Sequence, residues 1–191
     1  YCFGESTPFK EINEVPAGGI VKFNLNQPDC LSIEKYYDLV NLNDDIDIKS
    51  NVNNLIERSV RYRMVSDAEV GCFVSGGVDS GIVAALASKI SNKRLKTFSI
   101  SFEDKNYDES DRAELLSSLL GTDHYKILFN EDALNSIIPE IQQVNDELIN
   151  DWSMLPMLVL SREARKKVKV VLSGDGGDEF FFGYKKYSYA L

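Results

Sequence analysis

The chain has 191 residues, 43% of them hydrophobic, which is enough to bury a core in one domain or in one domain plus part of another. A net charge of −9 argues against a duplex or tRNA partner held through phosphate contacts, because such partners need a basic face. The cysteines Cys2, Cys30 and Cys72 show no CxxC spacing, and Cys72 lies inside an apolar run, the pattern of a buried, reduced thiol.

The first 30 residues are rich in turn formers, Gly4, Pro8, Pro16, Gly18, Gly19 and Pro28, with one strand candidate at Ile20 to Leu25, and they read as the edge of another unit. Residues 31–50 are polar and acidic and are expected to form a linker with a surface helix at most. From residue 51 helices and strands alternate. A helix over 51–64 places Val52, Leu55, Ile56, Ser59 and Val60 on one face, and a short apolar strand follows at 69–74. The next helix, 79–90, spaces Ile82, Leu86 and Ile90 at helical intervals, and KTFSISF at 96–102 alternates Phe98, Ile100 and Phe102 as a strand. A helix is predicted between Asp108 as N-cap and Gly121 just past its end, then a strand at 124–129. A helix interrupted at Pro139, a helix over 153–166 with a basic last turn and a β-branched strand at 168–172 complete the series. This alternation predicts an α/β fold, a parallel sheet with helices on both faces, in which ligands bind beyond the carboxyl ends of strands. The longest apolar run, Met154 to Leu160, is far too short to span a bilayer, and no signal segment opens the chain. The expectation is a soluble, cytoplasmic protein, with neither membrane nor nucleic acid as partner.

Two of the strands run into the same kind of loop, Ser75-Gly76-Gly77-Val78-Asp79-Ser80 and Ser173-Gly174-Asp175-Gly176-Gly177-Asp178-Glu179. In the first, glycines let the backbone approach an anion, while amides at the helix start and the Ser75 and Ser80 hydroxyls can donate to phosphate oxygens. An aspartate beside phosphate makes sense if Mg2+ bridges the two, and Asp178 at the edge of another strand can supply a second carboxylate to the ion. The loop is not a Walker A motif, since GxxxxGK[ST] is absent, nor a GxGxxG dinucleotide fingerprint. The plain alternative is a tight strand-to-helix turn.

SGGVDS is similar to the pyrophosphate-binding loop of the N-type ATP pyrophosphatases, the PP-loop or adenine nucleotide α-hydrolase-like fold. SGDGGDEFFFGY resembles the second signature of one branch of them, the glutamine-dependent asparagine synthetases. RYRMVSDAEVGCFVSGGVDS, TFSISFEDKNYDES, LGTDHY and VVLSGDGGDEFFFGY resemble that family in the same order, so the likeness covers residues 50 to 191. FKEINEVPAGGIVKFN resembles the tail of the class II glutaminase domain that precedes the synthetase domain in such proteins. The organisation implied is a glutaminase tail at 1–30, a linker at 31–50 and an ATP-pyrophosphatase domain at 51–191, incomplete at its C-terminus.

The resemblance implies a ligase that adenylates the side-chain carboxylate of aspartate with ATP and lets ammonia from glutamine attack it. It assigns Ser75, Gly76, Gly77, Asp79 and Ser80 to pyrophosphate, Val74 and Ile100 to the adenine pocket, and Ser173 and Gly174 to the nucleotide. Asp79 and Asp178 are then ligands of Mg2+, and Asp175 takes part in forming and consuming the acyl-adenylate. Each assignment has a plainer rival: Val74 and Ile100 would be apolar in any buried strand, and Asp175 could be a helix N-cap. His124, the sole histidine, excludes a His-based triad within these residues and reads as a packing or hydrogen-bonding group at a strand start. Trp152, Phe180, Phe181 and Phe182 read as core or ligand-wall packing.

Phe182 stands where the family usually has a glycine, and residues 146–156, where the acceptor acid should be recognised, match only loosely, which leaves a sugar acid or another carboxylic acid as alternative acceptor. A tRNA-modifying ATP pyrophosphatase shares the loop but needs a basic surface. Cys2 lies within the resemblance to the glutaminase tail and does not qualify as its nucleophile, and the family's late lysine is expected beyond Leu191. A homodimer stays open as the state of assembly.

Overall fold

The structure is a computed structural model that describes residues 4–38, 48–144 and 151–189. The chain divides into two compact units, Tyr1–Ile48 with Ile141–Asp151, and Lys49–Glu140 with Trp152–Leu191.

The first unit holds an antiparallel pair, β1 (Gly19–Asn24) and β2 (Gln27–Lys35), in register from Gly19 opposite Lys35 to Phe23 opposite Leu31. The expectation of a linker from residue 31 is therefore corrected over residues 31–35, which belong to β2. Leu31 and Ile33 alternate with Ser32 and Glu34, a period of two that the acidic composition of the surrounding stretch obscures. Phe23, Leu31 and Ile33 are all more than half exposed, so the hairpin buries little of its own apolar surface. Of the rest of the expected linker, 48–50 already belong to a helix and 39–47 lie outside the described residues.

The second unit is built on a four-stranded sheet in the order β5-β4-β3-β6, parallel at every pairing. In chain order its elements are α1 (Ile48–Arg63), β3 (Val70–Phe73), α2 (Val78–Ile90), β4 (Lys96–Phe102), α3 (Ser110–Leu120), β5 (Asp123–Phe129), α4 (Glu131–Val144), α5 (Met154–Arg165), β6 (Val170–Leu172) and α6 (Gly177–Phe181), followed by a 3-10 turn at Lys185–Tyr189. The expected elements are all present within a residue or two at each end, save that α1 starts three residues early. Pro139 sits inside α4 without breaking it; its missing amide removes one ladder bond but the helix continues on both sides.

Side chains alternate between two cores. On one face Val60, Val70, Cys72, Val74, Ala84, Ala87, Ala113 and Leu172 join α1, α2 and α3 to the sheet. On the other, Phe98, Leu160, Ala164 and Val168 join α5 to β4, with Phe73, Ile100, Tyr125, Ile127 and Val171 packed against them. Neighbours such as Cys72 and Phe73, or Leu172 and Val171, point to opposite cores, as the pleat requires. Burial pushes the Cys72 thiol up to about 12, which makes it an inert packing group, as its apolar setting implied. The buried face of α2 is Ser80, Ala84 and Ala87, whereas Ile82 is exposed, a shift from the expected Ile82-Leu86-Ile90 stripe. Small side chains there let the helix approach the sheet closely, which volume-blind periodicity does not register.

The α3 side of β4 is polar: Thr97, Ser99 and Ser101 are buried. Thr97 Oγ1 lies 2.9 Å from both Thr122 Oγ1 and His124 Nδ1, Ser117 Oγ is 3.0 Å from the same nitrogen, and Ser99 Oγ is 3.2 Å from His124 Nε2. Burial pushes the His124 ring below its ordinary value, so the neutral imidazole serves as the hub of this network, the hydrogen-bonding role its position suggested.

The strand order has one further consequence. The chain steps outward from β3 through β4 to β5, then returns to lay β6 on the other side of β3, with α2 and α3 on one face and α5 on the other. The order reverses between β3 and β6, the switch point at whose carboxyl edge ligands bind in sheets of this kind.

Candidate functional site

Both glycine-aspartate loops leave the sheet at that switch point, and they meet. A Cβ on Gly174 would fall 2.6 Å from the Ser80 amide nitrogen and 2.9 Å from the Asp79 carbonyl carbon. One on Gly177 would fall 2.5 Å from Cγ and Oδ2 of Asp79. Real Cβ contacts are not that short, so the second loop can lie on the first turn of α2 only because it lacks side chains at these two positions.

The first loop is tied to itself. The Gly77 amide donates to Ser75 Oγ at 3.3 Å, the Ser75 and Ser80 hydroxyls are 3.0 Å apart, the Ser75 amide donates to Ser80 Oγ at 3.2 Å, and Ser80 Oγ reaches the Gly77 carbonyl at 3.4 Å. Both hydroxyls assigned to phosphate thus clasp the loop from within. Gly76 adopts φ +82°, and a Cβ there would lie 2.6 Å from Cβ of Arg112 on the first turn of α3. The loop is wedged between two helix starts, and Gly77, the residue capping α2, contributes no side-chain cap. The amide dipoles of this 13-residue helix therefore point toward the loop without a side-chain cap from Gly77.

In the second loop Ser173 Oγ donates to Asp175 Oδ2 at 2.7 Å. The residue at the cap of α6 is Gly176, with no side-chain hydrogen bond, so Asp175 does not act as the N-cap. Asp178 lies in the first turn of α6, its backbone carbonyl accepting the Gly183 amide at 3.0 Å and its Oδ1 filling the space beside Gly183 where a Cβ would stand. Tyr184 donates to Glu179 Oε1 at 2.7 Å, which pushes the phenol up to about 12 and the carboxyl down. Phe182 takes a left-handed conformation, φ +58°, the region a glycine would enter without cost. Phe180, Phe181 and Phe182 are 59 to 69% exposed and Trp152 is 80% exposed, which corrects their reading as core packing.

Of the two residues assigned to adenine, Val74 is 2% exposed and belongs to the α2 core, while half-buried Ile100 packs on the α5 face. Val74 follows the end of β3 and Ile100 lies within the adjacent β4, and the two face opposite sides of the sheet. An open groove of about 590 Å³ lies one strand further along the same edge, walled by Phe102, Tyr107, Phe129 and Leu134 and rimmed by Glu103, Asp104 and Glu131. The acceptor stretch is only partly visible, since residues 146–150, like Cys2 and Leu191, lie outside the described residues. Among the described residues no helix is long and apolar enough to cross a membrane. Gly177 and Arg112 were not picked out from sequence as site residues. The Gly176-Gly177 doublet was the available signal for the former, and nothing local marks the latter.

Residues 51–191 match the family model for asparagine synthase. The chain is 37% identical over 137 residues to glutamine-hydrolyzing asparagine synthetase 1 of Bacillus subtilis, covering 71% of this chain and 21% of that protein. It is 30% identical over 148 residues to the glutamine-hydrolyzing asparagine synthetase of Gallus gallus, covering 72% of this chain and 26% of that one. The chain thus spans about a quarter or less of the length of these relatives. Among solved structures it is similar to an NMN synthetase from Francisella tularensis, with a TM-score of 0.50 at 20% identity over 73% of this chain and 59% of that one. That likeness agrees with the parallel sheet as a PP-loop ATP pyrophosphatase fold. With both signature loops inside the matched segment, the chain belongs to the asparagine synthase family.

Proposed function

We propose that this chain is the ATP-using part of a glutamine-dependent asparagine synthetase, with residues 1–30 as the tail of the ammonia-producing glutaminase domain. The observation that carries the reading is the contact of Gly174 and Gly177 with Asp79 and Ser80, which joins the two loops into one site at the sheet's reversal point.

A carboxylate is a poor electrophile, so amide formation needs activation. The acceptor oxygen attacks the α-phosphorus of ATP, the bond to the bridging oxygen breaks, and pyrophosphate leaves; ammonia then attacks the acyl carbonyl and expels AMP. In this reading the backbone amides of Ser75–Ser80 and the start of α2 hold the leaving pyrophosphate, while Ser173 and Gly174 position the nucleotide. Asp175, oriented by the Ser173 hydroxyl, serves the formation and consumption of the acyl-adenylate. Asp79 and Asp178 would hold Mg2+. The donor chemistry fits: both side chains offer hard carboxylate oxygens, and substrate phosphates would complete the shell. Bound there, the ion would neutralise charge on the departing pyrophosphate.

The test is exchange of labelled pyrophosphate into ATP by the full-length protein. Aspartate-dependent exchange is the expected result; exchange that appears only with a uronic or other carboxylic acid would sink the asparagine assignment and leave the adenylation reading standing.

A further inference from the structure

We infer that Arg112 is the cation that closes on the phosphates of a nucleotide held in the Ser75–Ser80 loop, an inference that rests on the nucleotide reading of that loop. Neither glycine-aspartate loop contains a lysine or arginine, yet together they bring Asp79, Asp175 and Asp178 to one edge. A polyphosphate bound between loops that carry these carboxylates needs positive charge beyond a divalent ion to offset repulsion. The residue packed on the loop from outside is basic: Cβ of Arg112 and the amide of Ala113 are the atoms that a side chain at Gly76 would strike. Gly76 therefore keeps the loop in register with the first turn of α3, and any anion in the loop lies beside the root of the Arg112 side chain.

That side chain is uncommitted in the way a ligand-binding arginine needs to be. It is 75% exposed, and its ion pair, with Glu109, is long at 3.8 Å and solvent-facing. Such a contact holds the guanidinium loosely and can be exchanged for a better one. The planar fork of arginine matches two phosphate oxygens at once, a geometry that a lysine ammonium does not reproduce. The alternative is that Arg112 serves α3 alone, as the partner of Glu109 one turn back.

Kinetics of pyrophosphate exchange in the full-length protein separate these roles, with KM for ATP and inhibition by magnesium pyrophosphate as readouts. Arg112→Ala is expected to raise both the KM and the inhibition constant about tenfold or more, the loss of a charge-assisted contact, without moving the thermal midpoint appreciably. Arg112→Lys should recover only part of this, and Gly76→Ala, which displaces Arg112, should weaken pyrophosphate in the same sense. Wild-type values in Arg112→Ala would overturn the inference while leaving the nucleotide site intact. Should that variant fail to fold, Arg112→Lys decides, since an unchanged KM there also overturns it. A wild-type protein that neither exchanges nor responds to pyrophosphate would overturn both the inference and the reading beneath it.

Discussion

The loops after β3 and β6 have nearly the same composition and are held in different ways. Ser75–Ser80 is braced from within by two serine hydroxyls and from outside by the first turn of α3, and Ser80 is 8% exposed. Ser173–Glu179 has two internal bonds, from the Ser173 hydroxyl to Asp175 at 2.7 Å and from the Gly177 amide to the Gly174 carbonyl at 3.2 Å, and leads into a five-residue helix with no buried residue. It also rests on the first loop, through Gly174 and Gly177. One loop is a preformed cradle and the other a flap whose position is borrowed, so a site built from both depends most on their contact.

The largest effect should follow from forcing the two apart. Gly174→Val puts branched carbon into the Ser80 amide and the Asp79 backbone, neither of which can swing away as a side-chain tip could. Overpacking of this kind costs about 1–3 kcal/mol in stability, but the expected loss of exchange activity is much greater, down to background. Measuring exchange and unfolding on the same preparation breaks the comparison if activity falls only in step with stability.

A smaller but still large effect is expected from charge removal. Asp79→Asn and Asp178→Asn keep the shape of each loop and remove the carboxylate proposed to face Mg2+, which should cost roughly 3 kcal/mol in the barrier, about a hundredfold in rate. Thermal unfolding without nucleotide should stay near wild type. Unequal losses would sharpen the contrast between cradle and flap, while normal exchange in both variants would remove support for a shared ion.

The smallest effect belongs to Phe182. Its left-handed backbone costs about 1–2 kcal/mol in a non-glycine residue, and its ring stands edge-on to Tyr187 at a centroid distance of 5.5 Å, a contact worth roughly 0.5–1.5 kcal/mol. Phe182→Gly trades one against the other and should shift the melting temperature by only a few degrees, with exchange preserved. A collapse of activity would show that the aromatic ring, more than the Gly174 contact, holds the second loop in place.

Much of this molecule was legible before its coordinates. Apolar periodicity located β3 to β6 and the helices between them, because each buries a stripe of side chains whose repeat is a local property of the chain. The two loops announced themselves by glycines beside aspartates directly after apolar strands, since backbone approach to an anion is written in residue type. Where opposing local signals overlapped, the reading failed: β2 was hidden by its acidic setting, and the Ala84–Ala87 face of α2 by the larger Ile82 beside it.

Tertiary structure alone decided which residues meet. Nothing in a linear pattern tells that β6 returns beside β3, that Gly174 and Gly177 rest on Asp79, or that Arg112 backs Gly76, because these contacts join segments far apart in the chain. Nor does alternation along a single strand reveal that Val74 and Ile100 serve opposite faces of the sheet. Residue types at fixed spacing carry the chemistry a site can perform, whereas strand order and the absence of a few Cβ atoms decide whether those residues come close enough to perform it.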